Sequence, residues 1–342
     1  MRLKQWIIPI IFVIFGGIMA TSYSYWNLAD PQRTCASCHE ILPSVHSFAT
    51  SSHRELSCTE CHGTALSNGF HSLMEKGRMV VNHFREEDLE NIRMSEVQLI
   101  AMMDNCQRCH ASEYAKWEAG AHSMNYAEIF LSVEQNTKEQ INFDCLRCHG
   151  MFFEGYLDEI VTPIDTVGPW EILDTKLAKR PAIPCMACHQ IHRPGAIAAQ
   201  FLQNSEETDA GMEEMLVVSL TFFDKNDQRY IPGFDLPVLR TFIDGKQINV
   251  SDDPRTRVCV QCHAPNAFHL SGSADDRTPR GVHQGLSCMS CHQPHSNNAR
   301  NSCVSCHPAI SNCGLDVTQM NTTFKNPDSP FDIHFVSCDD CH

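Results

Sequence analysis

Eighteen of the 19 cysteines in this chain follow one spacing pattern, and that pattern defines the chemistry of the sequence. Two residues separate the cysteines of each pair, and histidine follows at once, so the motif reads C-x-x-C-H. Thiols at this spacing form thioethers with the two vinyl groups of a haem, and the adjacent histidine reaches the iron. Zinc sites and disulfides do not require a histidine after every second cysteine. The sequence therefore predicts nine covalently attached haem c groups.

The nine motifs, numbered one to nine in chain order, each supply two attachment cysteines and one proximal iron ligand. The cysteines are Cys35, Cys38, Cys58, Cys61, Cys106, Cys109, Cys145, Cys148, Cys185, Cys188, Cys259, Cys262, Cys288, Cys291, Cys303, Cys306, Cys338 and Cys341. The proximal histidines are His39, His62, His110, His149, His189, His263, His292, His307 and His342. Cys313 stands outside the motifs, either as a buried thiol or as a site of cross-linking to a partner.

Ten further histidines lie outside the motifs, and nine irons need nine second axial ligands. We therefore expect mostly bis-histidine iron. The predicted distal ligands are His53, His71, His83, His122, His192, His269, His283, His295 and His334. The tenth, His46, is the weakest candidate because His53 stands in the better-patterned position. The pattern H-x-x-L-S-C-x-x-C-H begins at His53 and recurs at His283.

Two of these histidines follow a motif so closely that we expect each to ligate a neighbouring haem. His295 lies three residues after His292, and His192 lies three residues after His189. The chain is already held to the proximal face at these points. Three residues cannot easily carry a side chain around the porphyrin edge to the other face. We expect the same of His283, which comes just before motif seven.

The number of haems also constrains the fold. Nine haems in 342 residues leave about 38 residues for each, too few to surround every haem with an ordinary apolar core. We expect a mainly α-helical chain with extensive loops, in which stacked haems form the core. Apolar residues at helical spacing predict a helix within residues 79–103. Residues 201–255 contain no motif and predict a small β insertion, with an Asp-Gly hairpin turn in "RTFIDGKQINV".

Residues 1–26 begin with two basic residues and continue as an uncharged, mostly apolar run. A retained membrane anchor and a cleaved signal peptide both fit this pattern. As an anchor, it would cross the cytoplasmic (inner) membrane once, with Arg2 and Lys4 on the cytoplasmic side. In either case the haem-binding part is expected in the periplasm.

The motif positions suggest four further segments after the anchor. Residues 27–150 carry motifs one to four, and residues 151–200 carry motif five. The haem-free insertion at residues 201–255 follows, and residues 256–342 carry the last four motifs.

Residues 1 to about 150 resemble the NapC/NirT family of membrane-anchored, quinol-oxidising cytochromes. The resemblance rests on the apolar N-terminus, on "CASCHE", on "FATSSH" before "CTECH", and on "CQRCH", "AGAH" and "CLRCHG". It implies a four-haem module that takes electrons from membrane quinol and passes them to periplasmic partners. Family members often carry methionine two residues after the first motif histidine, where this chain has Ile41. Residues 151–342 resemble multihaem cytochromes only in general.

Three functions are compatible with this sequence. The first is an electron carrier between membrane quinol, or a quinol-oxidising subunit, and a periplasmic redox protein or reductase. The second is a reductase of a small oxyanion such as nitrite or sulfite, with one open haem iron; the specialised C-x-x-C-K attachment that would favour it is absent from the sequence. The third is a structural, filament-forming cytochrome. The net charge of −15 gives no reason to expect nucleic acid and favours basic docking partners.

Nine uninterrupted motifs predict nine covalently bound haems. The intact mass of the fully matured protein should exceed the chain mass by nine haem units, because each motif contains both thiols and the histidine. A mass corresponding to eight haems or fewer would show that at least one motif is not used.

Overall fold

The computed structural model describes the chain as two compact units. The first unit comprises Met1–Arg93 and Ile191–Ser205, and the second comprises Met94–Gln190 and Glu206–His342. The described residues are 4–28, 36, 39–49, 51–63, 80–81, 83–85, 94–133, 136, 140–192, 220–264, 276–293, 295, 306–307, 334–335 and 337. The units divide between motifs two and three and again at both ends of Ile191–Ser205. The segment boundaries expected at residues 150, 200 and 255 stay predictions.

The first unit begins with α1, a helix over Lys4–Leu28. Its portion Trp6–Tyr25 is long and apolar enough to cross a membrane, a test that a signal sequence also passes. Two short helices follow, α2 at Leu42–Ala49 and α3 at Cys58–His62. Helix α3 is motif two itself, and the Ser57 side chain caps its N-terminus by accepting from the Thr59 amide.

The helices of the second unit are short and mostly carry or flank motifs. They are α4 at Glu96–Gln107, α5 at Ala111–Glu118, α6 at Tyr126–Phe130 and α7 at Pro254–His263. Single 3-10 turns span Ala121–Ser123, Phe143–Arg147, Leu157–Glu159, Leu177–Lys179, Cys185–Ala187, Gly281–His283 and Cys288–Ser290.

A helix was predicted within residues 79–103, and α4 begins at Glu96 in the C-terminal part of that segment. Its start is fixed by the Ser95 amide, which donates to the Gln98 side chain at 2.7 Å. Met102 and Met103 are buried on this helix, as expected of apolar core residues, whereas Val97 is exposed. The apolar positions predicted at Leu89 and Ile92 lie outside the described residues.

Three antiparallel hairpins make up the strands of the described part of the second unit. They pair β1 (Val161–Thr162) with β2 (Glu171–Ile172), β3 (Thr221–Asp224) with β4 (Arg229–Pro232), and β5 (Thr241–Ile243) with β6 (Lys246–Ile248). The last hairpin turns at the predicted Asp-Gly pair. Asp244 and Gly245 adopt φ values of 50° and 75°, the left-handed conformation that such a tight turn requires.

A conventional apolar core lies in the second unit between motifs three and five, and the sequence analysis did not anticipate it. Its buried members are Tyr126, Phe130, Ile141, Leu146, Ile160, Val161, Trp170, Leu177 and Ala182. Leu146 belongs to motif four, so this core packs directly against one haem-attachment segment. Whether stacked haems supply the rest of the core stays a prediction.

A buried polar network joins this core to the helix that leads into motif three. The Tyr126 hydroxyl donates to Glu96 Oε1 at 2.5 Å, and Arg180 Nη1 lies 2.9 Å from Glu96 Oε2. The chain nearby passes close to the ring: a Cβ added to Gly150, just after motif four, would lie 2.7 Å from the Tyr126 hydroxyl oxygen. Three segments of the second unit therefore meet at Tyr126.

We predict that Tyr126→Phe destabilises the protein by about 1–3 kcal/mol, because it removes the donor to a buried, charged acceptor. The measurement is the denaturant midpoint of the haem-loaded protein. Tyr156→Phe is the matched control, since this tyrosine is exposed, and it should change stability by less than about 0.5 kcal/mol. Equal midpoints for the two variants would contradict the assignment.

Candidate haem sites

Each described motif that forms a short helical turn presents its three functional side chains in the same way. The histidine amide donates to the carbonyl of the first cysteine in motifs three, four, five and seven, at 2.9–3.1 Å. Residues three and four apart in a helical turn lie on one face. Both thiols and the imidazole are therefore directed to the same side of the backbone, which is what attachment to one haem requires.

Six motif histidines face a second histidine ring in the structure, and in every case the second ring is one of the predicted distal ligands. The ring-centroid distances are 5.7 Å for His39–His83, 5.8 Å for His62–His192, 5.8 Å for His189–His295, 6.1 Å for His263–His122, 5.9 Å for His292–His334 and 6.4 Å for His307–His283.

These separations are what two axial ligands of one iron require. A histidine nitrogen binds a metal at about 2 Å, and that nitrogen lies about 1 Å from its ring centroid. Two imidazoles on opposite sides of one iron thus have centroids about 6 Å apart. The six pairs leave room for a metal between the rings. The residues present therefore fit bis-histidine haem c.

Burial keeps several of these histidines in the neutral form that binds iron. Burial, with a smaller contribution from His263, lowers the pKa of His122 to about 4. Burial likewise lowers the pKa of His189 to about 4, with His295 as the next cause. Both imidazoles are uncharged at pH 7 and offer a nitrogen lone pair to a metal.

His192, three residues after motif five, faces the motif-two histidine His62 in the first unit. Its Nδ1 lies 2.9 Å from the Ser44 carbonyl oxygen, so Nδ1–H donates to that oxygen. A hydrogen bond of this kind fixes the tautomer and leaves the lone pair on Nε2, the usual arrangement of a metal-bound histidine. His192 is thus paired away from its own motif.

Motif seven and the segment directly after it contribute to two different pairs in the second unit. His292 faces His334, and His295 faces His189 of motif five. His295 has a φ of 63°, a left-handed conformation that is uncommon for a residue other than glycine. This backbone turn lets two histidines three residues apart point to different partners. His283, before the same motif, faces His307 of motif eight.

Motif one differs from the others because a carboxylate lies beside its imidazole pair. Glu40 Oε1 is 3.2 Å from His39 Nε2, and the same carboxylate accepts a hydrogen bond from His83 Nδ1. A backbone hydrogen bond lowers the pKa of Glu40, and the His83 contact lowers it further. Glu40 belongs to the stretch "CASCHE", but no role was predicted for it from the sequence. An acidic residue directly after a motif histidine was the available signal.

Other predicted ligands do not belong to these six pairs, and some of them lie outside the described residues. His110 and His149 are exposed at the ends of motifs three and four, and His53 is half-buried before motif two. Outside the described residues are His71, His269, His342, Cys35, Cys38, Cys303, Cys338 and Cys341.

Cysteines of different motifs come into contact in the second unit. The Cys148 thiol of motif four is hydrogen bonded to Cys262 of motif six, and this bond raises the pKa of Cys262 well above its usual range. Cys259 of motif six is bonded in the same way to Cys288 of motif seven. Motif six therefore lies between two other attachment sites.

The start of α7 fixes the second of these contacts. The Ser287 hydroxyl donates to Asp253 Oδ2 at 2.6 Å, and the Cys288 amide donates to Thr256 Oγ1 at 3.1 Å. Asp253 is also the N-cap of α7, because it accepts from the Arg255 amide. The helix that ends in motif six thus holds motif seven at its N-terminus.

Comparison with known proteins gives one match. Residues 31–200 match the family model described as outer membrane cytochrome MtrC/MtrF-like, domains II/IV. No curated protein and no solved structure matches the chain. The matched region contains motifs one to five, and the family consists of cytochromes. Together with the motifs, the match identifies a multihaem c-type cytochrome; the NapC/NirT resemblance of residues 1–150 stays a prediction.

We predict that His295→Ala converts one low-spin haem to high spin while haem attachment is unchanged. The variant removes the imidazole opposite His189, but it leaves every cysteine in place. Electron paramagnetic resonance of the oxidised protein and its intact mass are the measurements. His46→Ala is the control and should leave the spectrum unaltered. A spectrum of His295→Ala that matches the unaltered protein would remove His295 from the ligands.

Proposed function

We propose that this multihaem c-type cytochrome is a membrane-anchored electron carrier with nine haems. It accepts electrons from membrane quinol or a quinol-oxidising subunit and delivers them to a periplasmic redox protein or reductase. The observation that carries the proposal is the set of six imidazole pairs, which would occupy both axial positions of the iron at six motifs. An iron with two protein ligands exchanges electrons but does not bind a substrate.

The bound haems supply reversible one-electron chemistry, and the chain controls their surroundings. The cysteines would hold each porphyrin in place, and the paired histidines would ligate its iron. Buried ligands such as His122 and His189 would exclude water from the iron environment. Ligand type, burial and nearby charge are the means by which a protein sets haem potentials.

Several imidazole pairs of the second unit lie close enough to influence one another. The pKa of His122 is lowered first by burial and then by its partner His263, by His295 and by His292. These residues belong to three different pairs. Three neighbouring pairs, together with the sulfur contacts of motifs four, six and seven, support transfer of electrons from haem to haem through this unit.

The N-terminal helix supports placement at a membrane. Between Trp26 and Cys35 the chain can span at most about 30 Å when fully extended. If α1 is retained as an anchor, the first haem stays close to the interface where quinol head groups lie. We propose the cytoplasmic membrane as the site, with the haems in the periplasm. Because the matching family model is named for outer membrane cytochromes, recovery of the protein in the outer-membrane fraction after separation of the two membranes would contradict this placement.

A reductase of nitrite or sulfite is less well supported. Such an enzyme needs at least one iron with an open axial position. The six described pairs support an iron with two imidazole ligands and no open position at those six motifs. A high-spin ferric signal in the mature, unaltered protein would favour the reductase.

We predict that replacing residues 1–26 with a cleavable signal peptide abolishes quinol-dependent reduction of the haems in membranes. The soluble product should keep its haem content and absorption spectrum, because the replaced residues contain no motif. Haem absorbance after addition of a reduced quinol analogue is the measurement, with dithionite reduction as the control. Equal reduction of the soluble and anchored forms would assign quinol oxidation to another subunit.

A further inference from the structure

Arg147 lies between the two cysteines of motif four and is only 2% exposed. A cation buried to this degree normally has a full set of acceptors, because leaving charge uncompensated in a low-dielectric interior is costly. Its neighbour Leu146 is part of the apolar core, which explains the burial: the 3-10 turn Phe143–Arg147 is packed against that core.

The Arg147 side chain connects motif four to motif six. Its Nη2 donates to the backbone carbonyl of Gln261 at 3.0 Å, and Gln261 directly precedes Cys262. The Cys148 sulfur lies 4.0 Å from the same carbonyl oxygen and is hydrogen bonded to Cys262. One guanidinium therefore lies beside attachment sulfurs of two haems.

The positive charge of Arg147 is only partly compensated. The Asp144 carboxylate is 3.4 Å from Nε, at ion-pair distance, and its side chain is 26% exposed. Neither Nε nor Nη1 has a hydrogen-bond partner.

Motif three provides a natural comparison within the same chain. It reads C-Q-R-C-H where motif four reads C-L-R-C-H, so Arg108 occupies the position equivalent to Arg147. Arg108 is exposed, and water screens its charge from a nearby haem. The two motifs therefore contain the same arginine in two different dielectric surroundings.

We propose that Arg147 raises the reduction potentials of the haems at motifs four and six together. Reduction of ferric to ferrous iron lowers the charge of a haem by one, and a buried cation nearby stabilises the less positive state. The two haems then form a site within the chain where electrons reside. This inference rests on haem attachment at motifs four and six, which is part of the proposed function.

The test compares Arg147→Gln with Arg147→Lys by spectroelectrochemical titration of the mature protein. We expect Arg147→Gln to shift two haem midpoints to lower potential, and Arg147→Lys to retain most of the original values. Arg108→Gln is the matched control and should leave the midpoints in place. Midpoints of Arg147→Gln that do not move, or that move no more than those of Arg108→Gln, would overturn the proposal.

A second variant tests the same electrostatic effect with the opposite direction of shift, at a position where substitution perturbs folding less. Asp144→Asn removes the partial counter-charge from a partly exposed position and should raise two midpoints. Unchanged or lowered midpoints in this variant would contradict the proposal even if Arg147→Gln fails to mature. Intact mass reports haem attachment separately, and quinol-dependent reduction reports the proposed function, so failure of either is distinguishable from failure of the Arg147 inference.

Discussion

Axial coordination is the constraint on which the rest of this structure depends. Each pair of imidazoles joins a motif histidine to a ring from elsewhere in the chain, at a separation that leaves room for one iron. At about 6 Å between centroids the two rings do not bond to each other, so under the proposed coordination an iron between them would hold them. Coordination of this kind supplies folding free energy directly, because the ligands are not assembled in the unfolded chain. Under the proposed coordination, haem insertion and tertiary folding would be one process in this protein.

Conventional packing has a narrower role and acts locally. The apolar cluster around Tyr126 fills the region between motifs three and five, and the Tyr126–Glu96–Arg180 network ties it to α4. This cluster includes Leu146 of motif four, next to the buried Arg147, and so it constrains the orientation of that motif. In the same unit, α7 uses its N-cap region to hold motif seven and its C-terminus to carry motif six. Ordinary secondary-structure rules thus fix which attachment sites become neighbours.

The sequence predicted those features of the structure that depend on residues close together in the chain. The motif spacing specifies a helical turn with three side chains on one face, and the Asp244–Gly245 pair specifies a hairpin turn. The short tether after motif five predicts that His192 ligates a neighbouring haem; its ring lies 5.8 Å from that of His62 in motif two, and the ligation itself stays a prediction. The choice of His62 could not be derived, because it depends on contacts between distant parts of the chain. For the same reason, the sequence did not predict the apolar core around Tyr126 or the contacts of Glu40 beside motif one.

Arg108 and Arg147 show why a motif specifies attachment but not the behaviour of the attached group. Both arginines belong to motifs of nearly identical sequence, and both directly precede the second cysteine. One is exposed to water and the other is enclosed by an apolar core and by a second motif. The energy of a charge near an iron depends strongly on the dielectric between them, so the two positions act differently on their haems. In a chain built from repeated motifs, the packing around each motif is therefore what can make its haem distinct from the others.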